Sequence, residues 1–166
     1  MILLENITES DAPVDRKTIE EFERRNKIRL PADYIEFLLA HNGGRPEPEC
    51  FPILGLQFNP FGSIDSFYAL NSAIRACDLQ FVLSDIPDSV PVGIVPIASN
   101  GSGDHICLDL RRPGAPVVFF DYRPFWGNNE WREDLLYPVA PNFSALLNSL
   151  QDYPEDLLMA AAEPKK

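Results

Sequence analysis

Two pieces of punctuation leave the chain little freedom between them: Leu30-Pro31 and Asn42-Gly43-Gly44. The residue before a proline avoids helical geometry, while proline sits well at a first helical position. One helix therefore ends before Leu30 and a second begins at Pro31. Within the second, Tyr34, Phe37 and Leu38 recur at i, i+3 and i+4, and Asn-Gly-Gly supplies a left-handed stop. Upstream, Ile19 and Phe22 share one face of a stretch otherwise made of Glu20, Glu21, Glu23, Arg24 and Arg25, the pattern of an amphipathic helix. Asp15 is a good N-cap for it, and Thr18 with Glu21 forms an alternative capping box three residues later.

Farther on, prolines and glycines cut the chain into short elements. Arg45-Pro46-Glu47-Pro48-Glu49 is too proline-rich for a helix or a strand and reads as a surface loop. Strands are expected over Phe51 to Phe58 and Ser63 to Leu70, around a turn at Asn59-Pro60-Phe61-Gly62. Residues 71–86 read as a third helix, capped by Asn71 or Ser72 and turning Ile74, Cys77, Phe81 and Val82 inward, with Pro87 and Pro91 to stop it. Val92 to Ala98 is a strand whose Pro96 cannot donate to a ladder, so it lies at an edge or is bulged there. Asn100-Gly101 signals a hairpin of type I′ geometry, leading into His105 to Leu110, where Ile106, Leu108 and Leu110 share a face.

After the turn Arg112-Pro113-Gly114-Ala115-Pro116, Val117 to Tyr122 is apolar on both faces apart from Asp121 and reads as an interior strand of an antiparallel meander. Pro124 to Trp131 has no period and reads as a long loop. A short strand follows at Leu136 to Ala140, and Asn142 caps a last helix that turns Phe143, Leu146, Leu147 and Leu150 inward. The expected fold class is α+β, a single domain with a central, mainly antiparallel sheet packed against several helices. Residues 1–14 are read as an N-terminal extension, 15–151 as the domain, and 152–166 as a C-terminal tail open to disorder.

The 166 residues suffice for one core and are too few to favour two. Fourteen basic residues against 25 acidic ones leave a net charge of −11. Such a surface repels nucleic acid and anionic membranes and attracts cationic partners. Cys50, Cys77 and Cys107 are too few and too scattered for a disulfide framework, and their odd number fits a reducing compartment. The stretch Met1 to Asn6 lacks the basic start and longer apolar run of a signal peptide, and no segment approaches the roughly 20 apolar residues that span a bilayer. The cytoplasm is the expected location.

Chemistry is harder to find. His105, Cys107 and Asp109 project from one face of a strand, yet neighbours along such a face start about 7 Å apart, beyond the hydrogen-bond reach that a nucleophile and its base need. The reading favours a polar or half-buried sheet face. His41, Cys50, Cys77, His105 and Cys107 offer a single His-x-Cys step, too little for structural zinc. Ser99-Asn100-Gly101-Ser102-Gly103-Asp104 could cradle phosphate only with a helix directly after it, whereas a strand follows and Asp104 adds the wrong charge. Asp121, ending a doubly apolar strand, must be solvated or hydrogen-bonded, and a loop amide is the favoured partner. Trp126 and Trp131 flank Glu130: they either anchor a protein partner or fold back to cover the sheet. No basic patch interleaved with aromatics supports nucleic-acid binding.

The order of these pieces resembles the SUKH superfamily. An acidic first helix leads to Ile28-Arg29-Leu30-Pro31-Ala32-Asp33-Tyr34, Phe37-Leu38 and His41-Asn42-Gly43-Gly44. Later come Val95-Pro96-Ile97-Ala98, Gly101 to Asp109, Pro116 to Asp121, and Phe143 to Leu147. The resemblance implies an α+β fold and a non-enzymatic role: many bacterial members look like immunity proteins that neutralise toxins, often nucleases, and fungal relatives regulate cell-wall assembly. No catalytic residues, metal or cofactor come with it. The expected partner is a protein, foremost a basic toxin domain, with a non-toxin partner of a regulatory or scaffold module as the alternative. Opposite charge would speed such an association. The candidate partner-binding residues are Glu47, Glu49, Asp104, Asp121, Trp126, Glu130 and Trp131.

Overall fold

Asp15 decides where the first helix begins. In the computed structural model, which describes residues 6–56, 60–125, 127 and 130–155, its carboxylate accepts the Thr18 amide at 2.8 Å and the Thr18 hydroxyl at 2.7 Å. Helix α1 therefore runs Arg16–Asn26, and Lys27 closes it in the left-handed region at φ 56°. Ile19 and Phe22 form its buried face. Helix α2, Ala32–Ala40, has Pro31 as its N-cap and buries Tyr34, Phe37 and Leu38.

The stop after α2 does more than end a helix. Asn42, Gly43 and Gly44 have φ of 44°, 86° and 109°. Strand β1, Ile7–Thr8, pairs antiparallel with β2, Arg45–Pro46, and Gly44 bridges Phe67. A Cβ at Gly44 would stand 2.7 Å from the Thr8 carbonyl, and one at Gly43 2.9 Å from the Ala69 Cβ. Glycine is required there both for dihedral and for approach. The β1–β2 pair also revises the loop expected at 45–49: Pro46 offers no donor, but the Glu47 amide bonds the Asn6 carbonyl at 2.9 Å and carries the ladder.

Strand β3, Cys50–Pro52, pairs with β4, Phe61–Ser63, as a separate antiparallel ribbon. The strand expected over Ser63 to Leu70 is split. Its start belongs to that ribbon, the Ile64 and Asp65 amides bond the Glu49 and Ser99 carbonyls, and only β5, Ser66–Phe67, joins the central sheet. Residues 57–59, where the expected Phe51 to Phe58 strand would end, lie outside the described residues.

The third helix is shorter than its pattern. Asn71 takes φ 59°, which breaks helical geometry, and Arg75–Cys77 forms one 3₁₀ turn. Helix α3 covers Leu79–Asp85, capped by Asp78, whose carboxylate accepts the Phe81 amide at 2.8 Å. Ile74 is 65% exposed rather than core, and Phe81 lies half-buried beneath the Arg75 guanidinium at 4.2 Å.

Strands β6, Ile94–Ser99, β7, His105–Asp109, β8, Val117–Phe120, and β9, Leu136–Ala140, complete a five-stranded meander in the order β5-β6-β7-β8-β9. Every neighbouring pair is antiparallel. Because β6 is interior, Pro96 is accommodated by a register shift between Pro96 and Ala98. Helix α4, Phe143–Ser149, is capped by Asn142. The result is the expected α+β fold.

One face of the sheet carries the main core, where Ile97, Ile106, Leu108 and Phe119 meet Ile19, Phe22, Tyr34 and Phe143. Phe37, Phe67 and Phe143 pack with ring centroids 4.8–5.8 Å apart. Burying one such ring contributes roughly 1.5–3 kcal/mol. The opposite face carries a second cluster, Cys107, Val118 and Phe120 under Val90, Phe125 and Leu135. β8 is apolar on both sides because loops cover that second face. Among the described residues no helix is long and apolar enough to cross a membrane.

Candidate functional site: an acidic edge beside the glycine turn

The glycine turn is occupied by its own hydrogen bonds. Asn100 Oδ1 accepts the Ser102 and Asp104 amides at 2.9 and 3.1 Å, and Ser99 Oγ accepts the Gly101 amide at 3.0 Å. Gly101 and Gly103 have positive φ while Asn100 does not. The hairpin is therefore closed by a longer loop around an Asn side-chain turn and not by the expected type I′ pair. Those amides face inward and leave no cradle for an anion.

Asp104 and Asp121 lie inside rather than at the surface, at 6% and 7% exposure. Asp104 accepts the Tyr122 amide at 2.9 Å and the Asn100 side-chain amide at 3.1 Å. Burial, abetted by nearby Asp121, holds its carboxyl above the usual range. Asp121 accepts the Arg123 backbone amide at 3.3 Å, the loop-amide role expected of it, and also grips the Arg123 guanidinium at 2.9 and 3.1 Å. Both carboxylates lock loops to the sheet.

The His105, Cys107 and Asp109 face does not assemble a nucleophile. His105 Nδ1 lies 3.0 Å from the Tyr68 hydroxyl, and burial lowers its pKa to about 4. Cys107 is fully buried, which pushes its thiol up and keeps it protonated. Asp109, 1% exposed, is held by Arg111 at 2.9 and 3.0 Å and by Arg112 at 3.3 Å. Among the described residues no group of three or more His, Cys, Asp or Glu is placed to hold a metal.

Trp126 lies outside the described residues. Trp131 is half-buried, packs edge-on against Phe120 at 5.5 Å and donates its indole N–H to Glu133 at 3.2 Å. It covers the second cluster. Glu130 beside it is exposed.

Glu47 and Glu49 are exposed on the segment between β2 and β3. An isolated bridge joins Cys50 to Gln151, with the two amide–carbonyl bonds at 3.0 and 2.8 Å. The bridge brings Asp152, exposed like Glu49, to the same edge of the molecule. After burial, these two carboxylates are what raise the Cys50 thiol. Next along the chain, Tyr153 is 43% exposed and lines a groove of about 470 Å³ between the β3–β4 ribbon and the glycine turn, floored by Ile53, Leu56 and Phe119 and rimmed by Ser102 and Arg123. By sequence alone Asp152 and Tyr153 belong to the C-terminal tail of residues 152–166. No local pattern marks a bridge between residues so far apart in the chain.

A small α+β module, with no reaction centre assembled among its described residues, is the class that this fold and surface define. The chain matches the SMI1 / KNR4 family (SUKH-1) over residues 13–149 and belongs to that family. It is also similar to the SPbeta prophage-derived uncharacterized protein YokK of Bacillus subtilis (strain 168), at 24% identity over 153 residues that cover 82% of this chain and 74% of the relative. The family is generally non-enzymatic, and membership supports an immunity or regulatory module that works through protein–protein interaction.

Proposed function

We propose that the chain is a cytoplasmic immunity protein that neutralises a cognate toxin, a basic protein domain such as a nuclease, by covering it. The observation that carries the reading is the acidic edge. Glu49 and Asp152 are both exposed and flank the Cys50–Gln151 bridge, with Glu47 close along the chain, so like charges crowd one edge and repel. A cationic partner relieves that repulsion, and the adjoining groove offers it Tyr153 as an anchor. Family membership and the prophage origin in the relative's name support the same reading.

The test is co-expression with the toxin encoded beside the gene, in the native host. The protein should rescue growth and co-purify with the toxin. Glu49→Lys with Asp152→Lys should slow association at least tenfold at low salt, with the difference shrinking as salt rises. A neighbouring toxin that is neither bound nor neutralised would sink this reading. Capture of a non-toxin protein through the same edge would instead establish the regulatory or scaffold alternative.

A further inference from the structure

The charge of this chain is segregated. Residues 16–29 hold six cations, Arg16, Lys17, Arg24, Arg25, Lys27 and Arg29, against three carboxylates, Glu20, Glu21 and Glu23. That stretch is net +3, so the other residues carry the −14 that brings the whole to −11. Elsewhere among the described residues the arginines are engaged: Arg45, Arg111, Arg112, Arg123 and Arg132 each pair with a carboxylate, and Arg75 lies over Phe81. The six cations of 16–29 are all exposed, and among the described residues none has a carboxylate within 4 Å.

Four of them, Arg16, Arg24, Lys27 and Arg29, line an open groove of about 720 Å³ between α1 and the start of α2, with Ile19, Ile28 and Ile35 also in its wall. Glu23, which accepts the Leu30 amide at 2.7 Å, also lines the groove and offsets part of that charge, leaving four cations against two carboxylates. Glu20 is the remaining carboxylate in the lining. Ile28 also lines a second cleft of about 220 Å³, walled by Ile86, Val90 and Val92, the last 76% exposed, with Asp88 as its one carboxylate. A net-cationic groove and a mainly apolar cleft thus share Ile28 as a common wall.

We propose that this face docks an acidic peptide segment carrying an apolar anchor, with the acids over Arg16, Arg24 and Arg29 and the anchor between Ile28 and Val92. Charge complementarity selects the occupant. The apolar wall suits a peptide better than a phosphate backbone, and the −14 remainder repels a long polyanion that would extend past the groove. The module is then two-sided, with one face for a cationic partner and an opposite-sign face for an acidic one.

Fluorescence anisotropy with a labelled dodecapeptide of repeating Glu-Glu-Leu tests this, beside its Gln-Gln-Leu and Glu-Glu-Ser counterparts and a 12-base-pair DNA duplex. The Glu-Glu-Leu probe should bind, weakening as salt rises, and both counterparts should bind at least tenfold less tightly. Arg16→Gln/Arg24→Gln/Arg29→Gln should cost at least tenfold and flatten the salt dependence, and Val92→Asp should cost at least fivefold. Each variant should unfold at the wild-type urea midpoint, because every changed side chain is exposed. The proposal is overturned by no binding of the probe below about 1 mM, by a duplex that binds as tightly, by variants within twofold of wild type, or by self-association through these cations in the absence of probe. Toxin neutralisation through Glu49 and Asp152 should be untouched in these variants, so the two proposals stand or fall separately.

Discussion

Asn42→Ala tests whether the Asn-Gly-Gly stop is a joint rather than a cap. The Asn42 side chain is fully buried. It donates to the Ala12 and Leu70 carbonyls at 2.8 and 2.9 Å and accepts the Leu70 amide at 2.8 Å. It therefore ties the N-terminal segment, the end of α2 and the turn that follows β5 to one another. Alanine would leave the Leu70 amide and carbonyl buried without partners, at about 1–3 kcal/mol each. The Ala12 residue is exposed, so water can replace its bond. At φ 44° alanine also incurs about 1 kcal/mol of left-handed strain that asparagine tolerates.

The expected loss from Asn42→Ala is about 3–7 kcal/mol, a large share of the 5–15 kcal/mol typical of a domain. At about 2–4 °C per kcal/mol for a chain of this size, the midpoint should fall by at least roughly 6 °C. Asn42→Gly separates the two contributions, because glycine is free of the strain and loses only the hydrogen bonds. Urea unfolding of the three proteins measures both differences. Glycine should be about 1 kcal/mol less damaging than alanine. A loss under about 1 kcal/mol for Asn42→Ala would refute the joint, and equal losses for the two variants would refute the strain component.

Two further outcomes follow from buried polar groups. His105 has its folded pKa depressed to about 4 from the usual 6.5, so the unfolded chain takes up a proton that the folded chain refuses. Stability from this group is complete above pH 6.5 and lost as pH falls toward 4, by up to about 3 kcal/mol. Raised Asp104 acts in the opposite sense over the carboxylate range, so the comparison must be with His105→Gln, whose loss across that window should be smaller than wild type; parallel pH profiles would contradict the assignment. The Tyr34 hydroxyl is buried with no hydrogen-bond partner among the described residues, so Tyr34→Phe should raise stability by about 1 kcal/mol in urea unfolding, and a destabilised variant would show that the hydroxyl is satisfied.

What the sequence shows and what it hides separate along one line, the distance in the chain between the groups that interact. Asp15 and Asn142 as caps, the two-sided β8 and the strand at Leu136–Ala140 are set by neighbours a few residues away, and each lies where the local pattern puts it. The third helix fails on the same terms: its apolar spacing continues through Ile74, but the stronger local preference of Asp78 to cap Phe81 starts the helix later. The acidic edge depends on the Cys50–Gln151 bridge, which no window of sequence contains, so Asp152 and Tyr153 were invisible and the buried Asp104 and Asp121 looked equally available.

Net charge misleads for a related reason. A total of −11 argues for a cationic partner everywhere on the surface, yet what a partner meets is the charge left after internal pairing. Among the described residues, pairing engages the arginines of the β region and spares the cations of α1. Long-range attraction of a basic partner depends on the summed field, whereas the docked geometry depends on which individual charges remain without a counter-ion. In this protein the two point to different faces, so association rate and docking site must be measured by separate variants.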